Sequence, residues 1–153
     1  MVGPMFDYET KAQHWINRAS FRLRAAAAEL LADAGIALTP EEWALLMVLW
    51  QEDGGIGIGA LAGRTLRDRT TVSRLVGRLE GKGLVERIAD PDDGRAVVVA
   101  LTAEGQAAKP AVLSALAPLH TGLTADIDPA EIAACIRVCR AICDRLDGED
   151  PRP

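Results

Sequence analysis

Apolar positions recur with a helical period over most of this chain, and change to β-branched runs only between residues 84 and 102. From about residue 6 to residue 34, Trp15, Ile16, Ala19, Leu23, Ala26, Ala27, Leu30 and Leu31 form the stripe of one long helix that Gly35 stops. A helix of that length on a small domain packs against something beyond it. A second helix opens at Thr39, with Pro40 at its first position and Glu42 at its third, which together make a capping box. It runs through Trp43, Leu46, Met47 and Trp50 to a stop at Asp53-Gly54-Gly55, and its apolar density predicts a buried element. The glycine-rich residues 56–59 are too short to cradle phosphate and have no lysine after them, so they predict a turn or a minimal strand. Residues 60–66 then predict a short helix with Leu61 and Ala62 inward.

Asp68 suits the cap of the next helix, in which Val72, Leu75, Val76 and Leu79 fall at i, i+3, i+4 and i+7. At about 100° per residue, Thr70 and Arg74 point the other way, flanked by Ser73, Gly77 and Arg78. That outer face holds hydroxyls and guanidinium groups and no carboxylate. Gly81-Lys82-Gly83 ends the helix, and two strand-like runs, residues 84–89 and 95–102, enclose the turn cluster Asp90-Pro91-Asp92-Asp93-Gly94. In that cluster Pro91 and Gly94 both suit a hairpin tip. Two short helices followed by a hairpin predict a winged helix-turn-helix. Its outer face suits a DNA major groove, where Arg reads guanine edges and Thr or Ser contacts bases or phosphates. Thr102 caps a further helical stretch that continues to about residue 127, kinked by Pro110 and Pro118. Asp128-Pro129-Ala130-Glu131 is another capping box and opens a last helix. The fold class is thus mainly α with a small β-hairpin wing. Residues 38–102 are expected to be the winged helix-turn-helix domain, residues 1–37 and 103–147 a discontinuous helical domain, and 148–153 a disordered tail.

A chain of 153 residues suffices for such a core, and 49% hydrophobic with 25% charged residues is ordinary for a globular protein. No apolar run reaches membrane-spanning length and the N-terminal stretch has no leader pattern, so neither a membrane partner nor secretion is expected. Three cysteines confined to one helical stretch do not make a disulfide framework, which points to a reducing cytoplasm. The net charge of −5 changes meaning once it is divided. Between residues 64 and 87 stand seven basic and three acidic residues, leaving that segment at +4 and the rest at −9. Screening confines fields to about 8–10 Å at ordinary salt, so local charge sets phosphate affinity.

Four passages resemble the MarR family of bacterial transcriptional regulators: residues 38–50, residues 58–88, residues 90–107 and residues 126–142. Within the third, Asp93-x-Arg95 followed by Leu101-Thr102 resembles the family's D-x-R…L-T pattern. The resemblance implies a homodimer whose first and last helices interlock, so that both terminal segments are dimerisation helices. Two reading helices would then meet successive major grooves of a pseudo-palindromic double-stranded DNA operator. It implies DNA contacts from Arg69, Thr70, Thr71, Ser73, Arg74, Arg78, Asp93 and Arg95. Arg95 would enter the adjacent minor groove, oriented by Asp93 through a charge-assisted hydrogen bond. Arg69 and Lys82 suit phosphate or surface charge better than base reading. The sequence departs from the family at Gly94, where a second wing arginine is common, and at Gly77, where a polar side chain is common.

The resemblance also implies a repressor released by a small aromatic or anionic ligand held between the dimer helices and the reading domain. Matching regions contain Trp15, Arg18, Trp43 and Met47, whose aromatic walls and single guanidinium suit a phenolic acid; Trp43 and Met47 equally suit plain packing. Cys135, Cys139 and Cys143 line one helix stripe, a spacing open to a soft metal or a thiol sensor but shared with Ile132, Ile136 and Ile142, which favours interface packing. The redox-sensing branch of the family places its reactive cysteine near the start of the first helix, and none stands here. His14 and His120 join no metal-ligating cluster in the sequence, no cofactor site is expected, and no nucleophile–base signature indicates an enzyme. The different-class alternative is a dimeric winged-helix module that binds protein without reading DNA.

Overall fold

The computed structural model describes residues 7–90 and 92–148, so the expectations placed on Phe6, on Pro91 and on the tail from residue 149 lie outside it. The chain divides into two compact units, Met1–Leu116 and Ala117–Pro153.

In the first unit, α1 (Ala12–Asp33) starts later than its apolar stripe predicts. Asp7 turns the preceding segment into a separate 3-10 turn, Tyr8–Thr10, by accepting from the Glu9 amide, and Lys11 is extended. Only part of the stripe is buried within the chain. Ala27 and Leu31 are fully enclosed, whereas Trp15, Ile16 and Leu23 stand exposed and Phe21 is 74% exposed. A 22-residue helix is about 33 Å long, and α1 meets α2 (Pro40–Leu49) and α6 (Lys109–Ala115). The two enclosed residues lie in its C-terminal half. The α2 capping box forms as expected: Thr39 Oγ1 accepts from the Glu42 amide at 3.2 Å and Glu42 Oε2 from the Thr39 amide at 2.9 Å. The helix ends at Leu49, short of the glycine pair, and Trp50 turns inward so that its indole N–H donates to the Gly105 carbonyl at 3.0 Å.

Residues 56 and 57 are the minimal strand β1 (Ile56–Gly57), followed at once by α3 (Ile58–Arg64), two residues ahead of the expected start. β1, β2 (Val85–Ala89) and β3 (Val97–Leu101) form one antiparallel sheet in the order β1-β3-β2, with Val99 facing both Ile56 and Arg87. The hairpin is therefore anchored to the helix-turn-helix by a third strand. Between α3 and α4 (Arg69–Gly81), Leu66 adopts φ +52, a left-handed conformation that side chains rarely take, while exposing most of its surface. Gly83 (φ +72) supplies the expected stop after α4. Leu45, Leu46, Leu61, Val72, Val76, Leu79, Val99 and Val112 make the core under this sheet and these helices. The predicted helix after Thr102 is broken into α5 (Ala103–Ala107) and α6 at Ala108, ahead of Pro110.

The second unit contains a π-helical turn, Pro118–Gly122, and α7 (Pro129–Gly148). Asp128 Oδ1 accepts from the Ala130 amide at 2.8 Å at the start of α7. Gly148, expected as the first tail residue, is instead the last residue of this helix.

Candidate nucleic-acid interface

α4 is built by one cap and one stripe. Asp68 takes the Thr71 hydroxyl on Oδ2 (2.7 Å) and the Thr71 amide on Oδ1 (2.8 Å), bonds that hold its carboxyl below the usual range. Thr71 is thus engaged with its own cap. Val72, Leu75, Val76 and Leu79 are buried, which leaves Arg69, Thr70, Ser73, Arg74, Gly77 and Arg78 exposed. Ile58, Arg69, Thr70, Ser73 and Arg74 line an open depression of about 520 Å³ on this face.

Pairing sorts six of the seven basic residues of the segment into two groups, the seventh, Arg67, being half-buried. Arg64 is bound to Glu52, Lys82 to Glu42 and Arg87 to Glu80. Among the described residues no ion pair engages Arg69, Arg74 or Arg78, so the uncommitted positive charge of α4 collects on its outer face. Arg87 also reaches from β2 to Ser73, its Nη2 donating to the carbonyl oxygen at 3.3 Å and to Oγ at 3.5 Å, which ties the wing root to the reading helix.

At the hairpin tip Asp93 Oδ1 accepts from the backbone amide of Arg95 at 3.1 Å. The contact between the two residues is thus through the backbone: the carboxylate shapes the turn, and among the described residues no ion pair joins it to the exposed Arg95 side chain. The Leu101-Thr102 end of the pattern has a structural cause. Thr102 Oγ1 donates to the Gly83 carbonyl at 2.6 Å and accepts from the Gly105 amide at 3.0 Å, joining the hairpin base to α5. Among the described residues nothing lies within 4 Å of a Cβ placed at Gly77 or Gly94.

Lys82 is not a free surface cation. Its ammonium donates to Glu42 Oε2 and to the Ala37 carbonyl, each at 2.6 Å, and so pins the end of α4 to the start of α2. Burial pushes the Glu42 carboxyl up, but the Lys82 and Thr39 hydrogen bonds and the charges of Lys82 and Arg78 outweigh it, leaving the carboxyl below its ordinary value. The folded state therefore holds this proton less tightly than the unfolded chain. The resulting stabilisation is complete above the ordinary glutamate range and fades as pH falls through the lowered folded value. Lys82→Met strands a buried carboxylate. With the ammonium about a third exposed, the expected loss is about 1–3 kcal/mol at neutral pH. Urea unfolding should show that gap narrowing below about pH 4; a gap that does not change with pH contradicts the pairing.

Of the residues considered for an effector, the structure brings Trp15 and Arg18 together, the guanidinium 5.9 Å from the ring centroid. Trp43 and Met47 lie one turn apart on α2, both half-buried. An apolar cavity of about 270 Å³ uses none of the four; Ile36, Leu38, Lys82, Leu84, Ala108 and Val112 are among its lining. Sequence reading missed it because its walls come from three separate segments. Cys135 and Cys143 are exposed and Cys139 half-buried, with the Cys139 thiol raised by burial and by its two neighbouring thiols. Among the described residues no group of three or more His, Cys, Asp or Glu is arranged to hold a metal ion.

The family model described as MarR matches residues 38–97. The chain is 36% identical over 72 residues to the HTH-type transcriptional regulator TtmR of Methylorubrum extorquens (strain PA1), a match covering 47% of this chain and 36% of that regulator. The matched stretch is thus well under half of that relative's length. Over nearly full length, the chain resembles a probable transcriptional regulator from Pseudomonas aeruginosa, with 30% identity, 92% and 99% coverage of the two chains and a TM-score of 0.66. The fold is also that of CouR from Rhodococcus jostii RHA1, solved bound to p-coumaroyl-CoA: TM-score 0.81, 20% identity, coverage 90% and 95%.

Proposed function

The chain belongs to the MarR family of DNA-binding transcription regulators, and from that premise we propose that it reads a specific double-stranded operator as a homodimer. The observation that carries this reading is the outer face of α4, where Arg69, Arg74 and Arg78 stand exposed beside Thr70 and Ser73 and, among the described residues, without ion pairs. The other basic residues nearby that pair do so with Glu52, Glu42 and Glu80. In this reading Arg74 and Thr70 face base edges, Arg69 and Arg78 face phosphates, and Arg95 lies in the flanking minor groove.

A second copy is the proposed cover for the exposed apolar residues of α1 and for Ile136, Val138 and Leu146 of α7. Residues 1–37 and 103–147 would then form the dimerisation part and residues 38–102 the reading part. The regulator is proposed to be a cytoplasmic repressor; among the described residues no helix is long and apolar enough to cross a membrane. An aromatic acid or its acyl thioester is the proposed effector. The reading rests on the Trp15–Arg18 pair and on the p-coumaroyl-CoA bound by CouR. Such a ligand releases DNA by favouring a spacing of the two reading heads that the half-sites do not match.

The test is binding to the DNA upstream of its own gene across a salt series. Each neutralised phosphate contributes about −0.9 to the slope of log affinity against log salt, so a steep linear fall is expected. A flat response removes the DNA-reading function and favours a protein-binding module.

A further inference from the structure

The glycine-rich stretch at residues 56–59 ends in a residue whose bare Cα has a specific neighbour. A Cβ built on Gly59 would meet Nη2 of Arg69 at 2.9 Å, Cζ at 3.2 Å and Nε at 3.3 Å. Equivalent atoms on Gly57 and Gly63, the other glycines of this stretch, would meet nothing within 4 Å. The guanidinium of Arg69 therefore rests against the first turn of α3, across the helix-turn-helix from its own backbone. It lies on the rim of the depression that also holds Thr70, Ser73 and Arg74.

We propose that Gly59 is a positioning residue: its missing side chain makes the floor that seats the Arg69 guanidinium at the edge of α4 to clasp a DNA phosphodiester. The proposal rests on the DNA-reading function above and adds a residue outside the reading helix to it. An arginine that samples many rotamers in free solution loses that freedom when it grips a phosphate. Seated on a flat floor, it has surrendered part of that freedom already, and its planar fork is held ready for a bidentate contact. Any Cβ at residue 59 occupies the floor. The group it displaces is the far end of a flexible side chain, so the backbone has no need to move. Alanine is also the better helix former at a position inside α3. The substitution thus separates positioning from folding.

The experiment is a double-mutant cycle on operator affinity at fixed salt, using the full chain, Gly59→Ala, Arg69→Ala and the double variant. With Arg69 present, Gly59→Ala should weaken binding about two- to tenfold for each reading head. In the Arg69→Ala background it should change nothing, and its melting temperature should not fall below that of the unmodified protein. A second readout needs no DNA: in ¹⁵N relaxation spectra the Arg69 Nε–H should be ordered in the unmodified protein and averaged in Gly59→Ala. Equal losses in both backgrounds, or no loss with Arg69 present, would overturn the assignment. An equally mobile Arg69 side chain in both proteins would do the same. If the unmodified protein shows no salt-dependent DNA binding, the phosphate clasp falls together with the reading function. The relaxation spectra then still report whether Gly59 seats Arg69.

Discussion

Replacing Gly105 by alanine should destabilise the protein by about 3 kcal/mol or more, although alanine is normally the better residue inside a helix. A Cβ at this position of α5 would overlap the carbonyl oxygen of Leu84 and stand 2.9 Å from its carbonyl carbon and 3.1 Å from Leu101 Cδ2. The obstacle is backbone at the root of the wing, held by the Thr102 amide, which donates to the same Leu84 oxygen at 3.1 Å. Gly105 also donates its amide to Thr102 and accepts the Trp50 indole, so α2, α5 and the hairpin base meet at one residue. Relieving the overlap means parting these three elements, and a loss of that size is a large share of the roughly 5–15 kcal/mol typical of a folded protein. Thermal unfolding followed by circular dichroism should show a melting temperature lower by at least about 6 °C. A melt at or above that of the unmodified protein would mean that the close approach does not exist.

Arg74→Ala should have the largest effect on function. The side chain stands exposed between Thr70 and Arg78, with the buried residues Leu75 and Val76 fixing the helix beneath it. If it makes a bidentate contact to a guanine edge, each head loses about 1–3 kcal/mol. Two heads on one operator lose about twice that, which spans roughly thirtyfold to more than ten-thousandfold in affinity. Stability should be unaffected, because the residue contributes nothing to the core. Competition between the operator and single-base variants identifies the base. The variant should lose its preference at one position in each half-site and keep it elsewhere. A uniform loss on every sequence, with a shallower salt slope, would move Arg74 to the phosphate contacts.

Local rules explain why so much of the reading head was legible in advance. The stripe from Val72 to Leu79 and the caps at Thr39, Asp68 and Thr102 depend on residues within a turn or two of each other, and all appear as expected. The same rules misplaced helix boundaries, as at Asp7, where a separate turn precedes α1, and at residues 58 and 59, which belong to α3 although the glycines there predicted a turn or a minimal strand. Periodicity also marked the apolar face of α1 without showing what covers it.

By itself the sequence determined the order of elements, the face of α4 turned to solvent, and the basic character of that segment. Only the tertiary structure decided which charges remain available. Glu42 and Lys82 are 40 residues apart and Trp50 and Gly105 are 55 apart, yet each pair is joined. Seven basic residues in the sequence count became three on one face once Arg64, Lys82 and Arg87 found carboxylates and Arg67 was half-buried. Gly59 and Gly105 likewise gained their meaning from atoms that other segments bring against them. Capping and periodicity act through neighbouring residues along the chain, whereas ion pairing and close backbone approach depend on distances that only folding sets.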